Sequence, residues 1–349
     1  MKFDDLTRSM GAWLSGDGPM SDVVLSSRVR LARNLADFPF LSTADSKQRT
    51  AVYELASREV AAAVSTTDAI MVDVDQADAL DRQFLVERHL ISRHHAAAEG
   101  SRGVSISASE TLAIMINEED HLRLQVLGGG LRLSTLWQSL NALDDALSAN
   151  LSYAYDRQLG YLTACPTNVG TGIRVSVMLH LPGLKWTREI ERVERAAKEL
   201  RLAVRGLFGE GTEVVGDLYQ ISNQTTLGQS EEDIIRNYSE TIIPRIVEYE
   251  YAARKALASN SAYQLDDRIW RAYGVLSNAR CISSEETQSH LSALRAGIAM
   301  GRFKSLDMAT LNELFLHTQS AHLQKRIGRK LEGEERAVER AKYLRARLG

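Results

Sequence analysis

Cysteine, proline and aromatic residues are scarce in this chain, and long apolar runs are missing. Its two cysteines, Cys165 and Cys281, stand far apart and without metal-ligand spacing. That excludes a disulfide framework and points to a reducing compartment. With only five prolines, and no low-complexity linker or fixed-period repeat, an array or tethered-module architecture is excluded as well. No apolar stretch is long enough to span a bilayer, and Met1–Asp5 carry no apolar leader core, so the sequence reads as cytoplasmic with no membrane contact. A formal net charge of −3 supplies no global attraction to nucleic acid.

What remains is an ordinary globular balance of 44% hydrophobic and 25% charged residues over 349 positions, enough for one large domain or two of usual size. The pattern changes near residue 255, giving an expected boundary between residues 1–255 and 256–349. Before it, strand-like and helical runs alternate. Val23-Val24-Leu25 is short and apolar, and Ser46 to Val64 has helical spacing. Ile173, Val175, Val177, Leu179 and Leu181 share one face of an alternating run, with Arg174, Ser176, Met178 and His180 on the other. Trp186 to Val204 is predicted as one helix, and Gly128-Gly129-Gly130 as a plain turn. Ser230-Glu231-Glu232-Asp233 predicts an N-cap opening a helix toward Lys255, with Pro244 kinking or splitting it. Beyond residue 260 the pattern is helical, with breaks predicted near Gly274, Ser283, Gly301, Ser305 and Gly333. From Lys325 to Gly349 nine Lys/Arg face four Asp/Glu.

Four clusters carry candidate chemistry. Asn117-Glu118-Glu119-Asp120-His121-Leu122-Arg123 lies between two strand-like runs. It reads either as a solvated acidic turn or as carboxylates gripping a cation while Arg123 grips an anion. In Ser26-Ser27-Arg28-Val29-Arg30, the two arginines share a face because residues i and i+2 of an extended chain do. Two guanidinium forks on one face suit a phosphate. Cys165-Pro166-Thr167-Asn168-Val169-Gly170-Thr171-Gly172-Ile173-Arg174 is a turn running into a strand. Cys165 is there either a buried small apolar group or, beside cations, a partial thiolate. Arg205-Gly206-Leu207-Phe208-Gly209-Glu210-Gly211 is a glycine-flanked loop suited to wrapping a ligand. It is not a Walker A loop, and the His-Arg-Asp and Asp-Phe-Gly signatures of ordinary protein kinases are absent. Together the clusters offer Arg28, Arg30, Arg123, Arg174 and Arg205, enough positive charge for a triphosphate.

These residues resemble the catalytic domain of the phosphagen (guanidino) kinases, over roughly Val23 to Lys255. Asn-Glu-Glu-Asp-His-Leu-Arg, Cys-Pro-Thr-Asn-x-Gly-Thr and Arg-Gly-x-x-Gly-Glu are specific motifs of that family. Leu-Gly-Gln-Ser-Glu-Glu-Asp-Ile-Ile and the helical tail resemble its bacterial protein-arginine branch. The resemblance implies an α+β fold, a mainly antiparallel sheet flanked by helices, followed by an all-helical C-terminal domain. It implies ATP with Mg²⁺ as cofactors and no dedicated protein metal site. The nucleotide residues it implies are Ser26, Ser27, Arg28, Val29, Arg30, His89, Arg123, Arg174, Val175, Ser176, Val177, Met178, Arg205, Gly206, Leu207, Phe208 and Gly209. Glu119 and Glu210 resemble the two carboxylates that hold the acceptor guanidinium, and Cys165 the active-site cysteine. Met178 stands where small-guanidino kinases carry a base-stacking histidine, and Gly211 replaces a histidine that follows their second glutamate. A thioether on the Arg174 face can still cover a base.

Few residues precede Arg28, too few to form a domain, so the site is expected to be open enough for an arginine still attached to a protein. The same branch implies a phosphoarginine-sensing pocket. Its motif falls on Arg336-Ala337-Val338-Glu339-Arg340-Ala341, with Ala337 in place of an aspartate, leaving Arg336, Arg340 and Ala341 as the expected pocket residues. The branch further implies protein substrates with exposed arginine, a role in marking proteins for a Clp-type protease under stress, an activator protein and a homodimer. A kinase of free arginine and a non-catalytic phosphoarginine-binding regulator are the competing readings.

Overall fold

The computed structural model describes residues 3–7, 9–65, 68–206 and 214–349. Its strands are β1 (Val24–Arg33), β2 (Ile70–Asp73), β3 (Gly103–Ile106), β4 (Leu112–Ile116), β5 (Leu122–Gly129), β6 (Tyr155–Asp156), β7 (Gly160–Tyr161), β8 (Ile173–His180), β9 (Leu202–Arg205) and β10 (Leu218–Asn223). Its helices are α1 (Ser46–Ala63), α2 (Ala79–Glu87), α3 (Arg93–Ala97), α4 (Leu133–Ser148), α5 (Pro182–Trp186), α6 (Ile190–Glu199), α7 (Glu231–Asn237), α8 (Ile243–Asn260), α9 (Ala262–Asn278), α10 (Ser284–Ala299), α11 (Met308–His317), α12 (Ser320–Ile327) and α13 (Gly333–Leu348).

Eight strands form one sheet in the order β2-β3-β4-β5-β1-β8-β10-β9, and every neighbouring pair is antiparallel. This is the α+β architecture expected from the sequence. Period-two alternation sorts the side chains. Val29, Leu31, Leu122, Leu124, Val175 and Val177 enter a core roofed by α1, α4 and α8 residues such as Val52, Leu140 and Val247. The opposite face is divided lengthwise. At one end Leu25, Leu127, Met178 and Leu218 pack against Leu276, Leu291, Leu294 and Phe315 of the C-terminal helices. At the other end the same face carries arginines and is left as a cleft.

Local signals set many boundaries. Asp45 caps α1 in a reciprocal capping box with Gln48, and Ser230 caps α7 through Asp233 N. The helix expected from Ser230 toward Lys255 is split by a π-helical turn over Tyr238–Ile242, with Pro244 in the first turn of α8.

Three expectations are corrected. Trp186–Val204 is not one helix: Trp186 ends α5, α6 follows, and Val204 lies in the edge strand β9. Arg188 and Arg201 adopt left-handed backbone at the two breaks, a conformation that non-glycine residues do not advertise. Gly128 and Gly129 extend β5 instead of turning it, pairing with Ser27 and Ser26. A Cβ on Gly129 would lie 3.0 Å from Asp17 O, so glycine here permits close backbone approach. Gly274 does not interrupt α9.

Candidate active site

The cleft has a volume of about 710 Å³. Arg28 and Arg30 of β1, Arg123 of β5, Arg174 of β8 and Arg205 at the end of β9 all line it. Strand register explains the convergence. Arg30 stands directly opposite Arg174, and Arg28 opposite Ser176; on the other flank Ala32 opposes Arg123. Like charges set across an antiparallel pair repel. Arg28 is steadied by neutral partners, donating from Nε to Ser176 Oγ (3.2 Å) and from Nη2 to Gln220 Oε1 (2.9 Å). Arg30 Nε is buried without a hydrogen-bond acceptor among the described residues. Burial, then the charges of Arg123, Arg174 and Arg205, lower the Arg28 pKa to about 10. Burial and the neighbouring guanidiniums lower Arg30 well below its ordinary value. A buried Nε without an acceptor, on a guanidinium that faces others of the same charge, is chemistry that a polyphosphate would satisfy.

The acidic heptapeptide supplies the opposite wall. Asn117 takes left-handed backbone (φ 59°) between β4 and β5, and its amide is anchored to Arg49 O and Ser101 O, both at 2.8 Å. Glu118 accepts from Ser92 Oγ (2.5 Å) and the Glu119 N–H (2.8 Å) and pairs with Arg123 Nη1 at 2.7 Å. Burial raises its carboxyl pKa, but Arg123, His94 and Ser92 outweigh burial and hold it below the usual carboxylate range. Glu119 is 40% exposed and meets Arg123 Nη2 at 3.1 Å. Its pKa is raised, chiefly by burial and further by Asp120 and Glu118, against the pull of Arg123. The two adjacent glutamates therefore differ: Glu118 is held as an anion by its partners, and Glu119 is the more basic of the two.

Asp120 and His121, left without roles by the sequence, build the loop. Asp120 Oδ1 accepts from Asn34 Nδ2 (2.6 Å) and from the Ala164 N–H (2.7 Å), tying the acidic turn to the residue before Cys165. The Leu35 N–H donates to His121 Nδ1, which leaves Nε2–H to donate to Pro39 O. Cys165 lines the cleft half-buried, its Sγ 3.0 Å from Thr167 Oγ1. Of its two readings, the deeply buried apolar group is not what the structure holds.

A smaller recess adjoins the cleft, sharing Arg28, His89 and Gln220 with it and adding Trp13, Ser26 and Met178. His89 sits in left-handed backbone (φ 58°) and meets Trp13 edge-to-face at 5.4 Å. Burial, then Arg28 and Arg93, lower its pKa to about 3, so the imidazole is neutral at pH 7. The remaining nucleotide residues divide by face. Val29, Val175 and Val177 point their side chains into the opposite core, so only their backbones border this face. Ser27 Oγ donates to Gly130 O (2.7 Å). Gly206 is buried at the end of β9. Leu207, Phe208, Gly209, Glu210 and Gly211 lie outside the described residues.

Sequence reasoning missed Trp13, Ser92, His94, Gln220 and Gln224. Gln220 and Ser222 alternate as polar residues in β10, a signal that was available. Trp13 lies more than 70 residues from His89 and carried none. The tail motif behaves differently from the clamp. Arg340 is buried and donates to Thr318 O (2.8 Å) and Ile282 O (3.0 Å), Arg336 donates to Leu331 O (2.7 Å), and Ala341 is core. These contacts bind α13 to the loop before α10 and the α11–α12 turn.

Comparison with known proteins adds three findings. Residues 51–253 match the family model "ATP:guanido phosphotransferase, C-terminal catalytic domain", and residues 262–349 match "Protein-arginine kinase McsB C-terminal domain". The protein-arginine kinase of Symbiobacterium thermophilum is 46% identical over 346 residues, covering 98% of each chain. That of Geobacillus stearothermophilus is 44% identical, covering 97% of this chain and 94% of its own. Among solved structures, a duplicated taurocyamine kinase from Schistosoma mansoni with bound transition-state-analog components superposes with a TM-score of 0.61 at 25% identity, over 67% of this chain and 34% of that one. A lombricine kinase shares the fold, with a TM-score of 0.58 over 71% of this chain and 70% of its own.

Proposed function

The chain belongs to the ATP:guanido phosphotransferase family, in its protein-arginine kinase branch, and from that premise we propose how its residues transfer the ATP γ-phosphate to arginine side chains of proteins. The observation that carries the reading is the convergence of five arginines, two glutamates and a half-buried cysteine on one cleft. Protein arginine, instead of a free guanidino metabolite, is the acceptor named for relatives aligned over nearly their whole length.

A guanidinium is protonated at any physiological pH and is a poor nucleophile in that state. Glu119, with its raised pKa, orients the acceptor through bidentate contact and takes a proton as the N–P bond forms. Glu210 is the second carboxylate in this reading, on the strength of the family motif. Arg28, Arg30, Arg123, Arg174 and Arg205 hold the phosphates and stabilise charge on the transferring group. His89 and Met178 flank the base. When bound, Mg²⁺ neutralises phosphate oxygens. Glu118 is an oxygen donor on the same wall as the arginines, and it would reach an ion held by the phosphates through water.

Incubation with Mg-ATP and either free arginine or an arginine-rich protein, followed by assay of acid-labile phosphate, tests the proposal. Label on the protein is expected. Label on free arginine alone would overturn it in favour of a small-guanidino kinase, and no label on either would leave a binding regulator. The family likeness also supports a wider proposal: the labelled proteins pass to a Clp-type protease, and the kinase works as a homodimer with an activator protein. Light scattering on the purified chain tests the dimer, and degradation of the phosphorylated against the untreated protein tests the handover.

A further inference from the structure

Two walls of the small recess come from outside the sheet. Trp13 belongs to the N-terminal segment and His89 to the corner after α2, and their rings meet edge-to-face. One buried guanidinium, that of Arg88, holds both. It directly precedes His89 in the chain. Its Nη2 donates to Ser9 O at 2.9 Å, on the segment that leads to Trp13, and it forks onto the Glu110 carboxylate. Glu110 in turn accepts from Ser9 Oγ at 2.6 Å. A Cβ on Gly11 would lie 3.2 Å from Glu110 Oε2 and 2.8 Å from Trp13 Nε1. The Ala12 N–H donates to Ser109 O at 3.1 Å. The segment that presents Trp13 is therefore laid against Glu110 and the residue before it.

The same guanidinium reaches the C-terminal helices. With the His322 Nδ1–H given to Glu87, His322 Nε2 of α12 accepts from Arg88 Nη1 at 3.2 Å. Glu87 is the last residue of α2, so His322 meets the corner of His89 from both sides. Asn312 of α11 donates to Leu14 O at 3.0 Å, fixing the chain just beyond Trp13. Glu87, Arg88, Glu110, Asn312 and His322 are all buried. His89 and Glu110 both take left-handed backbone, each at φ 58°, which a non-glycine residue holds only where its surroundings compel it. Gln125 Nε2 supplies part of that hold, donating to His89 O at 2.7 Å.

A buried ion pair is a poor source of net stability, because an apolar pair of similar volume often does as well. What this one adds is placement of two chain segments that share no strand register. We propose that Arg88 and Glu110 are positioning residues for the nucleotide base, setting Trp13 and His89 as one aromatic wall against which the base lies, with α12 as its support. The inference rests on the ATP reading above. It adds Trp13 to the residues that meet the base, and it gives the C-terminal helices a share in nucleotide affinity. The phosphate clamp stands on β1, β5, β8 and β9, so the base contribution and the phosphate contribution are separable.

Arg88→Met combined with Glu110→Leu removes the pair and keeps an apolar filling. Mg-ATP and tripolyphosphate are titrated into the full chain, unaltered and variant. Tripolyphosphate meets only the arginines, so its Kd should hold. The Kd for ATP should rise about tenfold, the scale of losing one aromatic contact with a base. KM for ATP should rise with it, while kcat at saturating ATP holds. A purely structural pair would move both ligands together or neither, and either result would overturn the inference. His322→Ala leaves the Arg88–Glu110 fork whole and should shift the ratio of the two Kd values the same way, by less. Where the double variant lacks a cooperative melt, an unmoved ratio in His322→Ala overturns the inference instead. Tryptophan emission gives an independent reading. It should change with ATP but not with tripolyphosphate, and Trp13→Phe should erase the change. A change that persists in Trp13→Phe would take Trp13 out of the base site and overturn the inference. The kinase reading is judged apart from this, by acid-labile phosphate on the acceptor protein, and stands whichever way the ratio falls.

Discussion

The cleft and the seam behind it both bury arginine, and they treat it in opposite ways. At the seam between the sheet and the C-terminal helices, Arg88 is fully buried and forks onto Glu110, with Nε–Oε2 at 2.7 Å and Nη2–Oε1 at 2.5 Å. Its Nη1 reaches His322 Nε2, and His322 Nδ1–H donates to Glu87, whose carboxylate also accepts from the first N–H groups of α12. Arg254 pairs with Glu250 and Asp22. In the cleft, Arg28 and Arg30 face other arginines. A depressed pKa does not separate the two regions. Burial, then the charge of Arg254, lowers Arg295 of the seam to about 9 while the Ser21 and Asp22 carbonyls accept from it. What separates them is the charge that meets the guanidinium: Glu110, Glu250 and Asp22 meet Arg88 and Arg254 at the seam, whereas Arg28 and Arg30 face other arginines. Charge answered by a carboxylate ties elements together, and charge left facing its own kind is held ready for a ligand.

The comparison breaks most sharply at Arg30. In the proposed mechanism Arg30→Ala removes a phosphate contact, and it should lower phosphoryl transfer on the order of 10³-fold or more. It also relieves like-charge crowding, so the thermal midpoint should hold or rise. Single-turnover kinetics and thermal denaturation on the same preparation check both halves. A lower midpoint with retained transfer would make Arg30 a structural residue. At the seam the expectation reverses. Arg88→Met should cost about 3–5 kcal/mol by stranding Glu110 without its partner, and Arg88→Met with Glu110→Leu should recover most of that loss, both read by urea titration. Next in size is the response to a polyanion. Tripolyphosphate at 100 times its Kd should stabilise the chain by about 2.7 kcal/mol, and Arg30→Ala should abolish that gain while the seam double variant keeps it. A gain retained in Arg30→Ala would place the anion elsewhere.

Much of the cleft was legible because a strand repeats every two residues. Arg28 and Arg30, Arg174 with Ser176 and Met178, and Arg123 after the acidic turn could each be assigned to a face before the strands were paired. Proline chemistry likewise located the split at Pro244. The seam was illegible for the converse reason. Glu87 and His322 lie 235 positions apart, and nothing local to either announces the other. Arg188 and Arg201 turn the chain through left-handed backbone without glycine, so a helical pattern ran on across two real breaks. Gly128 and Gly129 misled because glycine that admits a neighbouring backbone is spelled the same way as glycine that turns.

The finest test of the comparison is Glu119, where the cleft should trade stability for chemistry. Burial raises its carboxyl pKa, and a base must be ionised to act. Transfer should therefore fall as pH drops through a value above the ordinary glutamate range, and a pH profile of kcat/KM with its acid limb at or below that range would refute the assignment. The sign for stability is opposite. A carboxyl whose folded pKa is raised contributes stability at pH below the unfolded value, and that contribution is lost as pH rises through the folded value. At pH 7 the ionised Glu119 is then a cost to the fold. Glu119→Gln should abolish most transfer yet raise the thermal midpoint at pH 7, on the order of one degree because the group is half exposed. The gain should vanish at acid pH, where the native carboxyl is itself neutral. A lower midpoint at pH 7 would mean that the pairing with Arg123 outweighs burial, and Glu119 would then belong with the answered charges of the seam.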